Sequence, residues 1–289
     1  MQTMLAYWLT FILFFTSGFG MIGDKYEVFE NIRYGEAQRD LVTIYVPETA
    51  RKNEENGCIL YIHGGSWQGG EKEDMAPHCK KLAMQGYITA TMSYSLISEE
   101  NQGKVTAFTM LDEIDMCIDA IKKFSEENNL NITKLATSGY SAGGHISMLY
   151  SYSRPQDSSI ELVFTANRVG PSDMSKEVWG SYSLAGMLAG VKITDEMVES
   201  GEAKRIADSV SPVAFVDENT MPSIFAYAGN DPLVQKGNRL SMENTFKNNG
   251  TPYEYIFFPL SGHGLLLDPI SEIQYYKALY SYCETYFGY

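Results

Sequence analysis

The sequence predicts an α/β fold: a mostly parallel central sheet flanked by helices, with a small helical cap inserted late in the chain. Three observations carry this expectation. Short apolar runs alternate with amphipathic stretches along the 289 residues, as crossover connections between parallel strands require. The segment Gly139-Tyr140-Ser141-Ala142-Gly143-Gly144 joins an apolar run to an apolar helical pattern, with small residues where a sharp strand-to-helix turn leaves no room for side chains. Later strands each end in a short polar loop carrying one acid or one histidine.

Taken in order, residues 1–23 hold no charged side chain, and residues 4–15 are nearly all apolar, followed by the small residues Thr16-Ser17-Gly18 and Gly20. The run is shorter than the roughly 20 residues a spanning helix needs. The expectation is a cleaved secretory signal over residues 1–20, although no Lys or Arg precedes the run. The alternative is an uncleaved anchor, and only that would bring the chain to a membrane. Residues 21–289 then form a single domain, secreted, periplasmic or at the cell surface if residues 1–20 are a signal, cytoplasmic if they are not.

Residues 26–34 and 41–46 open the sheet as an antiparallel pair. Strands follow at Ile59-Leu60-Tyr61-Ile62 and at residues 87–93, 134–138 and 162–169. Val105, Phe108, Leu111, Ile114, Ile118 and Ile121 recur at helical spacing, with Asp112, Glu113, Asp115 and Asp119 read as the solvated face. Residues 176–209 break the strand–helix rhythm and predict a cap of two short helices. Strands at residues 223–228 and 253–258 and a helix over 271–286 close the chain.

The candidate chemistry sits at the ends of these strands. Ser141 occupies the centre of the G-x-S-x-G turn. His63-Gly64-Gly65-Ser66-Trp67 follows a strand, and its glycine pair lets backbone N–H groups turn into a cleft where they can bind a developing oxyanion. Asp231 ends the strand over 223–228, and His263 lies just beyond the last strand, between Gly262 and Gly264. The order Ser…Asp…His is one of the known chain orders of a serine triad. Asp217 is the rival acid, but it precedes its strand. His63 is read as a brace for its loop, His145 as structural and His78 as lying on a solvated helix face.

These motifs resemble the α/β-hydrolase superfamily of esterases and lipases. The similarity is greatest to the branch holding bacterial feruloyl and acetyl xylan esterases and kynurenine formamidases, which carries a His-Gly-Gly-x-Trp motif. It extends to Gly170-Pro171-Ser172-Asp173 and Ser211-Pro212-Val213. Two departures stand out: Ser66 replaces the third glycine of the lipase pattern, and Tyr140 stands where many relatives carry an acid. The resemblance implies an α/β-hydrolase fold and a triad in which Ser141 attacks, His263 is base and then acid, and Asp231 orients the imidazole. It places Ala142 with Gly64, Gly65 and Ser66 at the oxyanion hole. The cap would lie over the site, with Trp67, Tyr140, Trp179, Tyr182, Leu184 and Met187 as candidate pocket residues. The implied reaction is hydrolysis of a short acyl ester on a small molecule or polysaccharide, through an acyl-serine. The alternatives are an amide or peptide hydrolase on the same triad, and a non-catalytic binding protein of the same fold.

Composition narrows the partners. With 36 acidic against 22 basic residues and a net charge of −14, nucleic acid and anionic surfaces are disfavoured. The sequence holds no metal-ligand spacing and no phosphate- or dinucleotide-binding glycine pattern, so no metal or cofactor is expected. Cys58, Cys79, Cys117 and Cys283 are irregularly spaced and read as buried free thiols.

Overall fold

The computed structural model describes residues 25–52 and 54–288. The predicted signal or anchor lies outside the described residues. The chain builds one sheet from strands β1 (Tyr26–Arg33), β2 (Leu41–Pro47), β3 (Asn56–Ile62), β4 (Ile88–Met92), β5 (Ile132–Tyr140), β6 (Glu161–Arg168), β7 (Ser223–Ala228) and β8 (Tyr253–Phe258). Their order across the sheet is β1-β2-β4-β3-β5-β6-β7-β8. β2 runs antiparallel to both β1 and β4, and every other pairing is parallel.

Alternation along β3 shows why the central strands form. Cys58, Leu60 and Ile62 face one apolar core, and Ile59 and Tyr61 face the other, so all are buried without any polar side. The first core takes the inner face of helix α2 (Ala107–Glu127), whose N-terminus is closed by a reciprocal Thr106–Thr109 capping box. The second takes α1 (Ala76–Ala83) and α9 (Pro269–Cys283). Burying each such aliphatic side chain contributes about 1.5–3 kcal/mol, which makes the two-sided core the main source of cohesion. All four cysteines are buried free thiols.

Three expectations need correction. Glu113 is not on the solvated face: it is buried and accepts the Ser95 N–H at 2.9 Å. Asp115 is half-buried and accepts the Tyr150 hydroxyl at 2.5 Å, whereas Asp112 and Asp119 do face water. His78 is no solvated residue either: its ring stacks on Tyr61 and Tyr276, and Nδ1 meets the Tyr276 hydroxyl at 2.6 Å. The cap holds four short helices instead of two: α4 (Lys176–Trp179), α5 (Ser183–Ala189), α6 (Asp195–Glu199) and α7 (Glu202–Ser209). Gly180, Gly190 and Gly201, at φ 76°, 73° and 78°, break the segment into these turns.

The turn between β5 and helix α3 (Ala142–Ser153) is the tightest point of the fold. A Cβ on Gly139 would stand 2.2 Å from the Gly143 oxygen, and one on Gly143 would stand 2.1 Å from the Ile62 oxygen. Backbone blocks both positions, so no side-chain motion relieves the contact. Gly143→Ala is therefore expected to lower the unfolding free energy in urea by about 2–4 kcal/mol, despite alanine's helical preference. An unchanged midpoint would show that β3 can move away from the turn.

Candidate active site

The strand order places the carboxyl ends of β3, β5, β6, β7 and β8 side by side, and the candidate residues occupy the loops beyond them. Ser141 holds φ 54° and ψ −121° at the top of the turn, half-buried, with its N–H donating to the Arg168 oxygen at 2.9 Å. Its Oγ lies 2.9 Å from His263 Nε2. On the other side of the ring, Nδ1 lies 2.8 Å from Asp231 Oδ2. The structure thus brings Ser141, His263 and Asp231, far apart in sequence, into one hydrogen-bonded line.

Asp231 is held from several directions. Its Oδ1 accepts the Leu233 and Val234 N–H groups at 2.8 and 2.9 Å, and its side chain is only 3% exposed. Burial pushes its carboxyl up, but the His263 hydrogen bond and the two N–H donors outweigh that and carry it below the usual carboxylate range. It is therefore an anion that fixes a proton on Nδ1 and leaves Nε2 free to accept one. Asp217 takes no part: it is exposed and caps its own turn through Asn219 and Thr220.

The loop after β3 has an unusual backbone. Gly65, Ser66 and Trp67 all take positive φ, at 112°, 54° and 60°. For Ser66 and Trp67 this costs on the order of 1–2 kcal/mol each. Among the described residues, the N–H groups of Gly65 and Ser66 donate to no protein acceptor. Ala142, as the first residue of its helix, also has no helical acceptor for its N–H. Gly64 lies against Ser141, since a Cβ there would stand 3.2 Å from the serine Cβ. His63 braces this loop: its ring stacks on Tyr94 at 4.2 Å, and its Nδ1 donates to the Gly64 oxygen at 2.7 Å. Arg39, which sequence reasoning missed, donates to the Tyr94 and Gly70 oxygens at 2.8 and 2.6 Å from the β1–β2 hairpin.

A depression of about 310 Å³ opens in front of Ser141. Trp67, Trp179, Leu184 and Met187 line it together with Ser66, Gln68, Pro171, Leu233 and Val234. Leu233 and Val234 were not foreseen; they follow Asp231 directly, and that adjacency was the available signal. Tyr182 packs on the core and is not among the lining residues. Tyr140 is absent from the lining too. Its ring meets His263 edge-on at 5.9 Å, and its hydroxyl donates to the His263 carbonyl, so it fixes the histidine loop. Burial pushes the Tyr140 hydroxyl up to about 12, which keeps it a donor. Among the described residues no cluster of His, Cys, Asp or Glu could hold a metal ion.

Residues 42–245, well over half the chain, match the BD-FAE family. The chain belongs to the BD-FAE family of α/β-hydrolase esterases. This BD-FAE protein is similar to kynurenine formamidase of Drosophila melanogaster, with 27% identity over 64% of this chain, and it spans 55% of that enzyme's length. Its fold is shared with a truncated carbohydrate esterase from gut microbiota, at TM-score 0.74 and 16% identity over 94% of this chain and 100% of that one. Esterase B from Lactobacillus rhamnosis gives TM-score 0.69 and 18% identity over 96% and 92%.

Two histidines, His145 beside the candidate site and His78 between Tyr61 and Tyr276, set a pH limit on stability. Burial pushes His145 down to about 4 and His78 down to about 3. Their folded values lie below the unfolded one near 6.5, so the unfolded chain binds protons the folded chain refuses. Stability present above about pH 6.5 is thus lost progressively as pH falls from there toward 4 for His145 and toward 3 for His78, with a slope of up to about 1.4 kcal/mol per pH unit for each group. Urea midpoints at pH 7, 5.5 and 4.5 are expected to fall in that order. His78→Phe, which keeps the ring stack and cannot titrate, is expected to flatten the fall; an equal slope in the variant would exclude His78 as a cause.

Proposed function

We propose that the protein is a serine carboxylic-ester hydrolase acting on short acyl esters, acetyl or feruloyl, carried by carbohydrate. The observation that carries this reading is the line Asp231–His263–Ser141, which ends beneath an apolar depression and beside unpaired backbone N–H groups. Ser141 Oγ attacks the ester carbonyl carbon while His263 Nε2 takes its proton, and Asp231 stabilises the resulting imidazolium. The carbonyl oxygen becomes an oxyanion, received by the N–H of Ala142 and those of Gly65 and Ser66, with Gly64 allowing the close approach. Collapse of the intermediate expels the alcohol, which takes the proton from His263. Water, deprotonated by the same imidazole, then releases the acid from the acyl-serine.

The acyl group fits the depression. Trp67, Trp179, Leu184, Met187 and Leu233 give it apolar walls, and its volume suits a short chain or one aryl ring better than a long chain. The gut-microbiota structure of the same fold bears the name carbohydrate esterase, which supports a sugar as the alcohol. A secretory signal over residues 1–20 belongs to the same proposal, since export brings the enzyme to polymeric substrate. The second reading is an amide hydrolase, favoured by the similarity to the Drosophila kynurenine formamidase.

Two outcomes are expected. Turnover of p-nitrophenyl acetate should exceed that of the octanoate and vanish in Ser141→Ala, and acetylated and feruloylated xylan should then release acid. Faster turnover of N-formylkynurenine than of any ester would move the assignment to the amide reading. Asp231→Asn should lower kcat by roughly three to four orders of magnitude through the wrong histidine tautomer. Asp217→Asn, in an exposed turn, should leave it unchanged; the reverse result would make Asp217 the acid.

A further inference from the structure

We propose that His145 is a positioning residue for the oxyanion loop: it holds the left-handed turn at Gly65–Trp67 through the Trp67 indole, and ties that turn to the end of the cap. The inference rests on the reading of this loop as the oxyanion hole.

The geometry is specific to one tautomer. Trp67 Nε1–H donates to His145 Nδ1 at 3.1 Å, so Nδ1 carries no proton. The other nitrogen, Nε2, therefore carries it and donates to the Val210 oxygen at 2.8 Å. Both rings are buried, and they meet edge to face with centroids 5.3 Å apart. His145 lies in the first turn of α3, on the same rigid element that carries Ala142 and follows Ser141. Val210 closes α7, the last helix of the cap.

This arrangement answers a mechanical need of the loop. Ser66 and Trp67 hold backbone conformations that L side chains avoid, and only outside contacts can keep them there. The Ile97 N–H fixes the Trp67 carbonyl at 2.8 Å, and Gln68 and Gly69 N–H groups fix the Gly65 carbonyl at 3.0 and 2.9 Å. The indole is the side-chain anchor, and a tryptophan N–H buried against a histidine can bond in only one ring orientation. One imidazole thus sets the distance between the oxyanion donors on two different elements, Ala142 on α3 and Gly65–Ser66 on the loop. A small error in that distance is costly, because the donors act only at the position the oxyanion reaches.

Two amide variants separate the two hydrogen bonds. His145→Asn places an amide oxygen near the position of Nδ1 and keeps an acceptor for Trp67. His145→Gln places an amide nitrogen near Nε2 and keeps the donor to Val210, leaving the indole N–H unpaired. On p-nitrophenyl acetate, His145→Gln is expected to lower kcat about tenfold or more with KM within about threefold, and His145→Asn to recover most of the loss. Hydrogen exchange of a peptide spanning residues 64–70 is expected to be faster in the Gln variant than in the Asn variant. Trp67→Phe removes the same bond from the other side, should His145→Gln not fold, and the pair combined is expected to lose no more kcat than the worse single variant. Equal kcat and equal loop exchange in the Asn and Gln variants would overturn the proposal, as would a loss confined to KM. A protein inactive on esters whose loop still loosens in His145→Gln would overturn the esterase reading and leave the hold of His145 on the loop standing.

Discussion

The contact on which the rest of the site depends is the backbone packing around Ser141. Gly139 and Gly143 face each other across the turn, and Gly143 also meets the carbonyls that end β3, at separations no side chain could occupy. That packing forces Ser141 to φ 54° and lifts its hydroxyl clear of the sheet. It also sets where α3 begins, and with it the direction of the Ala142 N–H. Because Gly143 touches the end of β3 at Ile62 and His63, the same contact fixes Ser141 relative to the loop that starts at His63. Strain at Ser141 is thus distributed over two adjacent strands, and the core on both faces of the sheet holds it there.

The acid side of the site is held differently. His263 lies on a loop, and a loop alone would leave its ring free to turn. Three contacts prevent this: Asp231 at Nδ1, the Tyr140 ring edge-on to the imidazole, and the Tyr140 hydroxyl on the His263 carbonyl. Tyr140 immediately precedes Ser141, so the residue that holds His263 is carried by the strand that positions the serine. Below it, Arg168 reaches from β6 to Glu272 on α9 with both terminal nitrogens, and its guanidinium packs 4.7 Å from the Tyr275 ring. With Arg168 buried and Glu272 half-buried, the pair is a weak source of net stability, because desolvation of the guanidinium offsets much of the attraction. Its planar fork does restrict where α9 can sit, and α9 begins a few residues after His263.

Most of this was legible in the sequence. The central strands could be read from short apolar runs, because strands buried on both faces, such as β3, leave no polar interruption. The candidate site residues could be placed because Ser141 and Asp231 follow strand ends marked by glycine, and His263 lies between two glycines beyond the last strand. What could not be read has a common cause. Glu113, Asp115 and His78 lie on helices whose spacing marks their positions as polar, yet their partners Ser95, Tyr150 and Tyr276 come from other parts of the chain. Helical periodicity reports which face is apolar and carries no information about a distant N–H or hydroxyl that can satisfy a buried polar group. Arg39 was missed for the same reason. The cap is a different case: Gly180, Gly190 and Gly201 were present as breakers, and four helices could have been counted from them.

The cap's construction bears on how such a site can change its substrate. Its helices run only four to eight residues, too short to be stable alone, so they depend on packing against the body. Trp179 shows how this is done. Its indole N–H donates to the Asp173 carbonyl at 2.7 Å while its ring lines the depression before Ser141. The Asp173 segment is in turn fixed by Asn238 of α8 (Lys236–Asn249), which accepts the Ser172 and Asp173 N–H groups at 2.9 and 3.2 Å. The walls contributed by Trp179, Leu184 and Met187 therefore hang from loops and short helices, whereas Ser141, Asp231 and the Gly65–Ser66 turn follow the ends of β5, β7 and β3. Substitution at Trp179, Leu184 or Met187 changes the walls of the depression and touches no hydrogen bond of the Ser141–His263–Asp231 line. The exception is Val210, whose backbone oxygen lies 2.8 Å from His145 Nε2: a shift of the cap there reaches Trp67 through one imidazole.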